Sequence, residues 1–130
     1  MIKVTVTGAC GFIGSHLTTQ LIERGFHVVG IDCLDDNLYS RSVKESRLKS
    51  LKQLSNFDFA NTNIATDELD SCFSDSKFVF NLAAIPGQVL SWKLFDKYVE
   101  SNILGTKKVI DSCIRNKVTK IIHASTSSVY

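Results

Sequence analysis

The chain has 130 residues, of which 44% are hydrophobic and 22% charged, with a formal net charge of +2. That is one domain's worth of a globular chain, able to bury a single core. So small a charge, without runs of one sign, excludes a nucleic-acid or anionic-membrane surface as the main partner, and no apolar stretch reaches the ~20 residues of a membrane span.

In chain order the predicted elements alternate strand and helix. The strands are 2–8 ("IKVTVTG"), 27–32 ("HVVGID"), 57–60 ("FDFA"), 77–84 ("KFVFNLAA") and 119–125 ("TKIIHAS"). Nearly unbroken apolar runs among them indicate strands covered on both faces. After the first strand a helix begins, with Ile13, Leu17 and Leu21 at helical spacing and Gly25 as its stop. Residues 40–54 form an amphipathic helix. A long helix runs over 92–115, with Phe95, Val99, Ile103, Thr106, Ile110 and Cys113 as its inward stripe. Alternation of this kind predicts right-handed crossovers and an α/β Rossmann-type doubly wound parallel sheet of strand order 3-2-1-4-5.

The strongest local signal is "TGACGFIGSH", where Gly8, Gly11 and Gly14 stand where a strand hands over to a helix. The first allows a tight turn, the second lets main chain approach a pyrophosphate, and the third lets helix and strand pack closely. The helix N-terminus adds free N–H groups and partial positive charge. Asp32 ends the next strand, placed to take both ribose hydroxyls of an adenosine through charge-assisted bonds of about 1.5–3 kcal/mol each. It would repel a 2′-phosphate, and Cys33 and Leu34 follow it rather than an arginine, so the expected cofactor is NAD and not NADP.

Cys10, Cys33, Cys72 and Cys113 show no C-x-x-C spacing and no accompanying His cluster. They read as free thiols rather than zinc ligands, in a reducing, cytoplasmic setting. The N-terminus lacks the apolar stretch of a signal peptide. His16, His27 and His123 read as surface or structural residues, and Trp92 and Phe95 as packing residues of the core or of a domain interface.

The glycine spacing G-x-x-G-x-x-G resembles the short-chain dehydrogenase/reductase superfamily. Four further stretches narrow it: "VVGIDCLDD" with "VKESRLKSL", "NLAAIPG", "YVESNILGTKKVIDSC" and "ASTSSVY". Together they resemble the extended, nucleotide-sugar-modifying branch, the epimerase/dehydratase family, nearest to UDP-glucuronate 4-epimerases. The resemblance implies that Gly8, Gly11, Phe12, Ile13 and Gly14 hold the pyrophosphate of NAD, and that Asp32 with Cys33 holds the adenosine ribose. It places Asn63 and Ile64 beside the adenine. Leu82, Ala83 and Ala84 line the cofactor near the nicotinamide ribose, with Asn102 bracing that wall and Ser125 at the cofactor. Thr126 matches the catalytic Ser/Thr. The partners implied are a UDP-sugar substrate and a second copy in a homodimer.

Several positions depart from the pattern. Cys33 stands for Asn, Asn63 for Asp, Asn81 for the His of H-L-A-A, and Val89 for an Arg whose loss favours a sugar other than glucuronate. In the family a Tyr of Y-x-x-x-K takes the proton from a sugar hydroxyl. Here Tyr39 is followed four later by Val43 and Tyr98 by Asn102; Tyr130 matches the structural tyrosine of V-Y-G. Thr126, an alkyl hydroxyl, cannot replace a phenol as base. The expectation is an NAD-binding domain over 1–130, incomplete, without the C-terminal substrate domain, that binds NAD without turnover. A 4,6-dehydratase fragment and a non-catalytic dinucleotide-binding module stay open, although Ser127-Ser128 after Thr126 favours the epimerase.

Overall fold

In the first strand, β1 (Lys3–Thr7), four consecutive residues are buried, Val4 through Thr7, so both faces of the strand are covered. Such a strand must lie inside its sheet with layers above and below. The structure, a computed structural model, describes residues 1–37 and 40–129; Tyr39 and Tyr130, and the readings attached to them, lie outside the described residues. The other strands are β2 (His27–Asp32), β3 (Phe57–Asn61), β4 (Phe78–Asn81) and β5 (Lys120–His123), and the sheet order is β3-β2-β1-β4-β5. Every pairing is parallel, as the strand–helix alternation predicts. Thr7 is level with Ile31 and Asn81, Asp32 with Asn61, and Asn81 with His123, so all five strands end along one edge.

Helices α1 (Phe12–Glu23) and α2 (Arg41–Leu51) pack against each other, as do α3 (Asp70–Phe73) and α6 (Thr106–Arg115). One core holds Val4, Val6, Leu21 and Val28; a second holds Ile31, Leu69, Phe73, Val79, Val109 and Cys113; a third, smaller, holds Cys10, Leu34 and Leu48. Phe73 is fully buried, a contribution of about 1.5–3 kcal/mol. Among the described residues no helix is long and apolar enough to cross a membrane.

Four expectations need correction. The fourth strand stops at Asn81, not 84, because the chain turns there and the amides of Leu82 and Ala83 both donate to Thr7 Oγ1 at 3.1 Å. The fifth likewise ends at His123 rather than 125. In α1 the buried face is Gly14, Ser15, Thr18 and Leu21, while Ile13 is 65% exposed. The close approach of Gly14 to the turn sets this face and rotates Ile13 out.

The long helix of 92–115 is the largest miss. The segment is α4 (Gln88–Lys93), α5 (Phe95–Tyr98), a π-helical segment Val99–Gly105, and α6, with a break at Leu94. A π turn takes an extra residue, so a 3.6-residue stripe loses phase across it. Phe95, Ile103 and Ile110 face out, at 64%, 62% and 43% exposure; of the predicted stripe only Cys113 is fully inside, with Val99 and Thr106 half-buried. The true inner face is Gly105, Val109, Ser112 and Cys113. Gly105 leads it because a Cβ there would lie 2.9 Å from the Ile64 side chain.

Candidate functional site

The turn after β1 is built by main chain. Gly8 has φ +69°, a conformation open to glycine, and its carbonyl accepts from Gly11 N at 3.0 Å, while Ala9 N donates to Ile31 O at 3.1 Å. Gly11 is the N-cap of α1 and supplies no side-chain cap. The first intrahelical bond is Ser15 N to Gly11 O, 3.0 Å. Among the described residues the amides of Phe12, Ile13 and Gly14 therefore have no protein acceptor, and no acidic side chain stands in the first turn to neutralise them. About half a positive charge sits there. A Cβ on Gly14 would lie 2.0 Å from Gly8 O, so helix and turn meet main chain to main chain.

Asp32, 6% exposed, ends β2 beside this turn. Its Oδ2 accepts from Cys10 N at 3.0 Å and its Oδ1 from Leu34 N at 2.9 Å. Leu34 takes φ +54°, unusual for a branched side chain, and thereby turns its N–H back to the carboxylate. Oδ2, with Cys10 N as its one donor, keeps a further acceptor site for a ligand hydroxyl. Lys44 Nζ reaches from α2 to within 3.4 Å of Asp32 Oδ1 and hydrogen-bonds Asp35 Oδ1. Burial works against its charge, but the Asp35 hydrogen bond and both carboxylates outweigh it and hold the ammonium above its ordinary pKa. Burial, helped by Asp32, pushes the Cys10 thiol up to about 12, and burial raises Cys33 as well.

Across the edge, Thr7 Oγ1 accepts the amides of Leu82 and Ala83 and must donate its one hydrogen to Asn81 Oδ1, at 2.6 Å. That turns Asn81 Nδ2 to His123 Nδ1 at 3.1 Å, so Nδ1 accepts and the ring proton sits on Nε2. Asn81, standing where a His was expected, is thus hydrogen-bonded through both its oxygen and its nitrogen. Asn102 grips the main chain of Ile85 twice, accepting from its N–H at 2.8 Å and donating to its carbonyl at 2.9 Å. Asn63 Oδ1 accepts from Ala65 N at 2.9 Å.

These groups surround a cavity of about 260 Å³. Of the residues singled out from sequence, Gly8, Gly11, Asp32, Cys33, Asn63, Ile64, Leu82, Ala83 and Ala84 line it together. Phe12, Ile13 and Gly14 stand outside the lining at the helix start, and Asn102 stands behind the wall. Ser125 and Thr126 lie past the end of β5, exposed and outside this cavity, with Thr126 Oγ1 accepting from Ser128 N at 3.2 Å. Trp92 is 88% exposed and Val89 77%, so core packing is excluded for the tryptophan. His16 is exposed and His27 pairs with Asp58 at 2.7 Å. Among the described residues no His/Cys/Asp/Glu group could hold a metal ion.

Sequence reasoning missed Lys44, Asp35 and Thr7. It searched for a cation only directly after β2, whereas the cation arrives from α2. The signal was present: Lys44, Leu48 and Leu51 share one helical face, and all three are buried. A lysine on an apolar face announces a buried ion partner.

A family model described as "NAD dependent epimerase/dehydratase family" matches residues 4–130. Protein CapI of Staphylococcus aureus is 40% identical over 131 residues, covering 98% of this chain and 39% of that protein. UDP-glucuronate 4-epimerase of Thermodesulfobacterium geofontis is 37% identical, over 96% of this chain and 39% of its own. The crystal structure of UDP-glucuronic acid 4-epimerase from Bacillus cereus, in complex with UDP-glucuronic acid and NAD, superposes with a TM-score of 0.92 at 42% identity, over 99% of this chain and 41% of that one. The chain thus spans about two fifths of the length of the relatives it matches.

Proposed function

The chain belongs to the NAD-dependent epimerase/dehydratase family, and from that footing we propose that it is the dinucleotide-binding part of a nucleotide-sugar 4-epimerase. One observation carries this reading: a capless helix N-terminus with unpaired amides stands beside a buried, oriented carboxylate on the rim of one cavity. The pairing suits a diphosphate next to a ribose and little else.

In this reading the amides of Phe12, Ile13 and Gly14 hold the pyrophosphate of NAD. Asp32 accepts from a ribose hydroxyl, its orientation preset by Cys10 N and Leu34 N. Lys44 neutralises one charge of the Asp32–Asp35 pair without reversing its sign, so the pocket still disfavours a 2′-phosphate. Leu82, Ala83 and Ala84, pinned by Thr7 and by the Asn102 clamp on Ile85, form the wall toward the nicotinamide ribose. Bound NAD supplies a hydride acceptor and donor. Ser125 and Thr126 stand at the β5 end, where Thr126 orients a substrate hydroxyl. Neither Tyr39 nor Tyr98 is followed four positions on by lysine, so these 130 residues bind the dinucleotide without turning substrate over. The substrate class is a UDP sugar, after the relatives' names. Val89 in place of arginine points to a sugar other than glucuronate.

Calorimetric titration with NAD and NADP tests the proposal. NAD binds, NADP binds more weakly, and Asp32→Asn weakens NAD by about tenfold or more, the worth of a charge-assisted bond. Circular dichroism of the variant checks folding. Indifference to the substitution, or a preference for NADP, sinks the reading.

A further inference from the structure

The dinucleotide reading leaves open what the site asks of the base, and Asn63 answers that. Asn63 stands just past β3, whose last residue, Asn61, is level with Asp32 on the side of β2 away from β1. A nucleoside with its ribose on Asp32 and its phosphates at the glycine turn therefore extends its base over Asn63 and Ile64, and both line the cavity.

The hydrogen bonds of Asn63 orient its amide. Its main-chain N–H donates to Asp67 Oδ2 at 2.8 Å, and its carbonyl accepts from Asp67 N at 3.0 Å. Its Oδ1 accepts from Ala65 N at 2.9 Å. An N–H can be met only by an acceptor, so the oxygen must face Ala65 and the nitrogen takes the other corner. Among the described residues Nδ2 has no protein partner, and neither has the N–H of Ile64. Asn63 thus offers the cavity a donor. A carboxylate here would keep the Ala65 bond with one oxygen and present the other as an acceptor.

Adenine carries an amino donor at position 6, whereas a 6-oxopurine carries an acceptor there. Position 1 is exchanged in the same way, an acceptor in adenine and an N–H donor in hypoxanthine, so the two unpaired donors, Asn63 Nδ2 and Ile64 N–H, find one acceptor on either base and meet one donor. Resting on the dinucleotide reading above, we infer that Asn63 makes the base subsite indifferent to the purine 6-substituent, so that the chain accepts a hypoxanthine dinucleotide as readily as NAD. Selection for adenine is missing because its acceptor has become a donor.

The test titrates the chain and Asn63→Asp, by calorimetry, with NAD and with nicotinamide hypoxanthine dinucleotide. The substitution is isosteric and keeps the Ala65 bond, so folding is retained. The unsubstituted chain binds the two ligands within about threefold of each other. Asn63→Asp shifts the ratio toward NAD by about tenfold, as a charged acceptor meets the amino group. A preference of the unsubstituted chain for NAD of tenfold or more, or a ratio unmoved by Asn63→Asp, overturns the inference while leaving dinucleotide binding intact. Binding of neither ligand removes the dinucleotide reading and the inference with it.

Discussion

Replacing Gly14 by alanine sets two effects of known size against each other. Alanine is the better helix former, by about 0.8–1 kcal/mol in a helix interior. The added Cβ would lie 2.0 Å from Gly8 O, 2.8 Å from Gly8 C and 3.0 Å from Ala9 Cα. Ordinary carbon contacts lie at about 3.5–4.0 Å, so α1 must retreat from the turn by more than an ångström. The obstacle is main chain, which cannot rotate aside, so the overpacking cost sits at the top of its usual range, about 3 kcal/mol. The net loss is about 2 kcal/mol, and at this length about 4 °C of melting temperature goes with each kcal/mol, giving a drop of about 8 °C. Thermal melts followed by circular dichroism read it directly. Gly25→Ala is the control: φ there is +85° but nothing lies within 4 Å, so only backbone strain of about 1–2 kcal/mol applies. The retreat also moves the free amides of α1 off the cavity rim, so the variant loses dinucleotide affinity beyond its loss of stability. A Gly14→Ala chain that melts at or above the unsubstituted temperature would refute the close main-chain approach on which the rim depends.

Two further outcomes follow from the chemistry of single side chains. Cys33 is half-buried on the cavity wall, whereas Cys10, Cys72 and Cys113 are buried. Iodoacetamide therefore labels Cys33 first in the folded chain, slowly because its thiol is raised by burial, and NAD slows it further; mass spectrometry that finds Cys10 labelled first, or no protection by NAD, contradicts the placement. Asp70 ties α3 to α6, and hydrogen bonds first from Arg115 and then from Ser112 hold its carboxyl down at about 2. Its folded pKa lies below the unfolded value of about 3.9, so its contribution is complete above that pH and is lost as pH falls toward about 2. Urea midpoints across that window should fall more steeply for the unsubstituted chain than for Asp70→Asn; parallel curves would show that the clamp adds nothing.

The parallel sheet and its order were legible in the sequence because their signals are short-range. Unbroken apolar runs mark strands covered on both faces, and chain connectivity with right-handed crossovers leaves few ways to arrange them. The glycine turn was legible for the same reason: Gly8, Gly11 and Gly14 act on one another within seven residues. The inward stripe of the long helix was not, because a period of 3.6 residues was carried through a π-helical segment that has a different one. The last residue of that segment, Gly105, packs so closely on Ile64 that a Cβ would lie 2.9 Å from it, a contact with a distant part of the chain that no local period reports.

By itself, then, the sequence determined the strand–turn–helix that offers free amides and the acid that ends the second strand. Only the tertiary structure decided how that acid is used, by bringing Lys44 from α2 between Asp32 and Asp35 and by turning Leu34 N back on the carboxylate. It also decided that Asn63 shows the cavity a donor, since Ala65 takes the oxygen. Periodicity and turn chemistry are properties of neighbouring residues, whereas the direction in which a polar group points depends on whichever partner packing brings within about 3 Å.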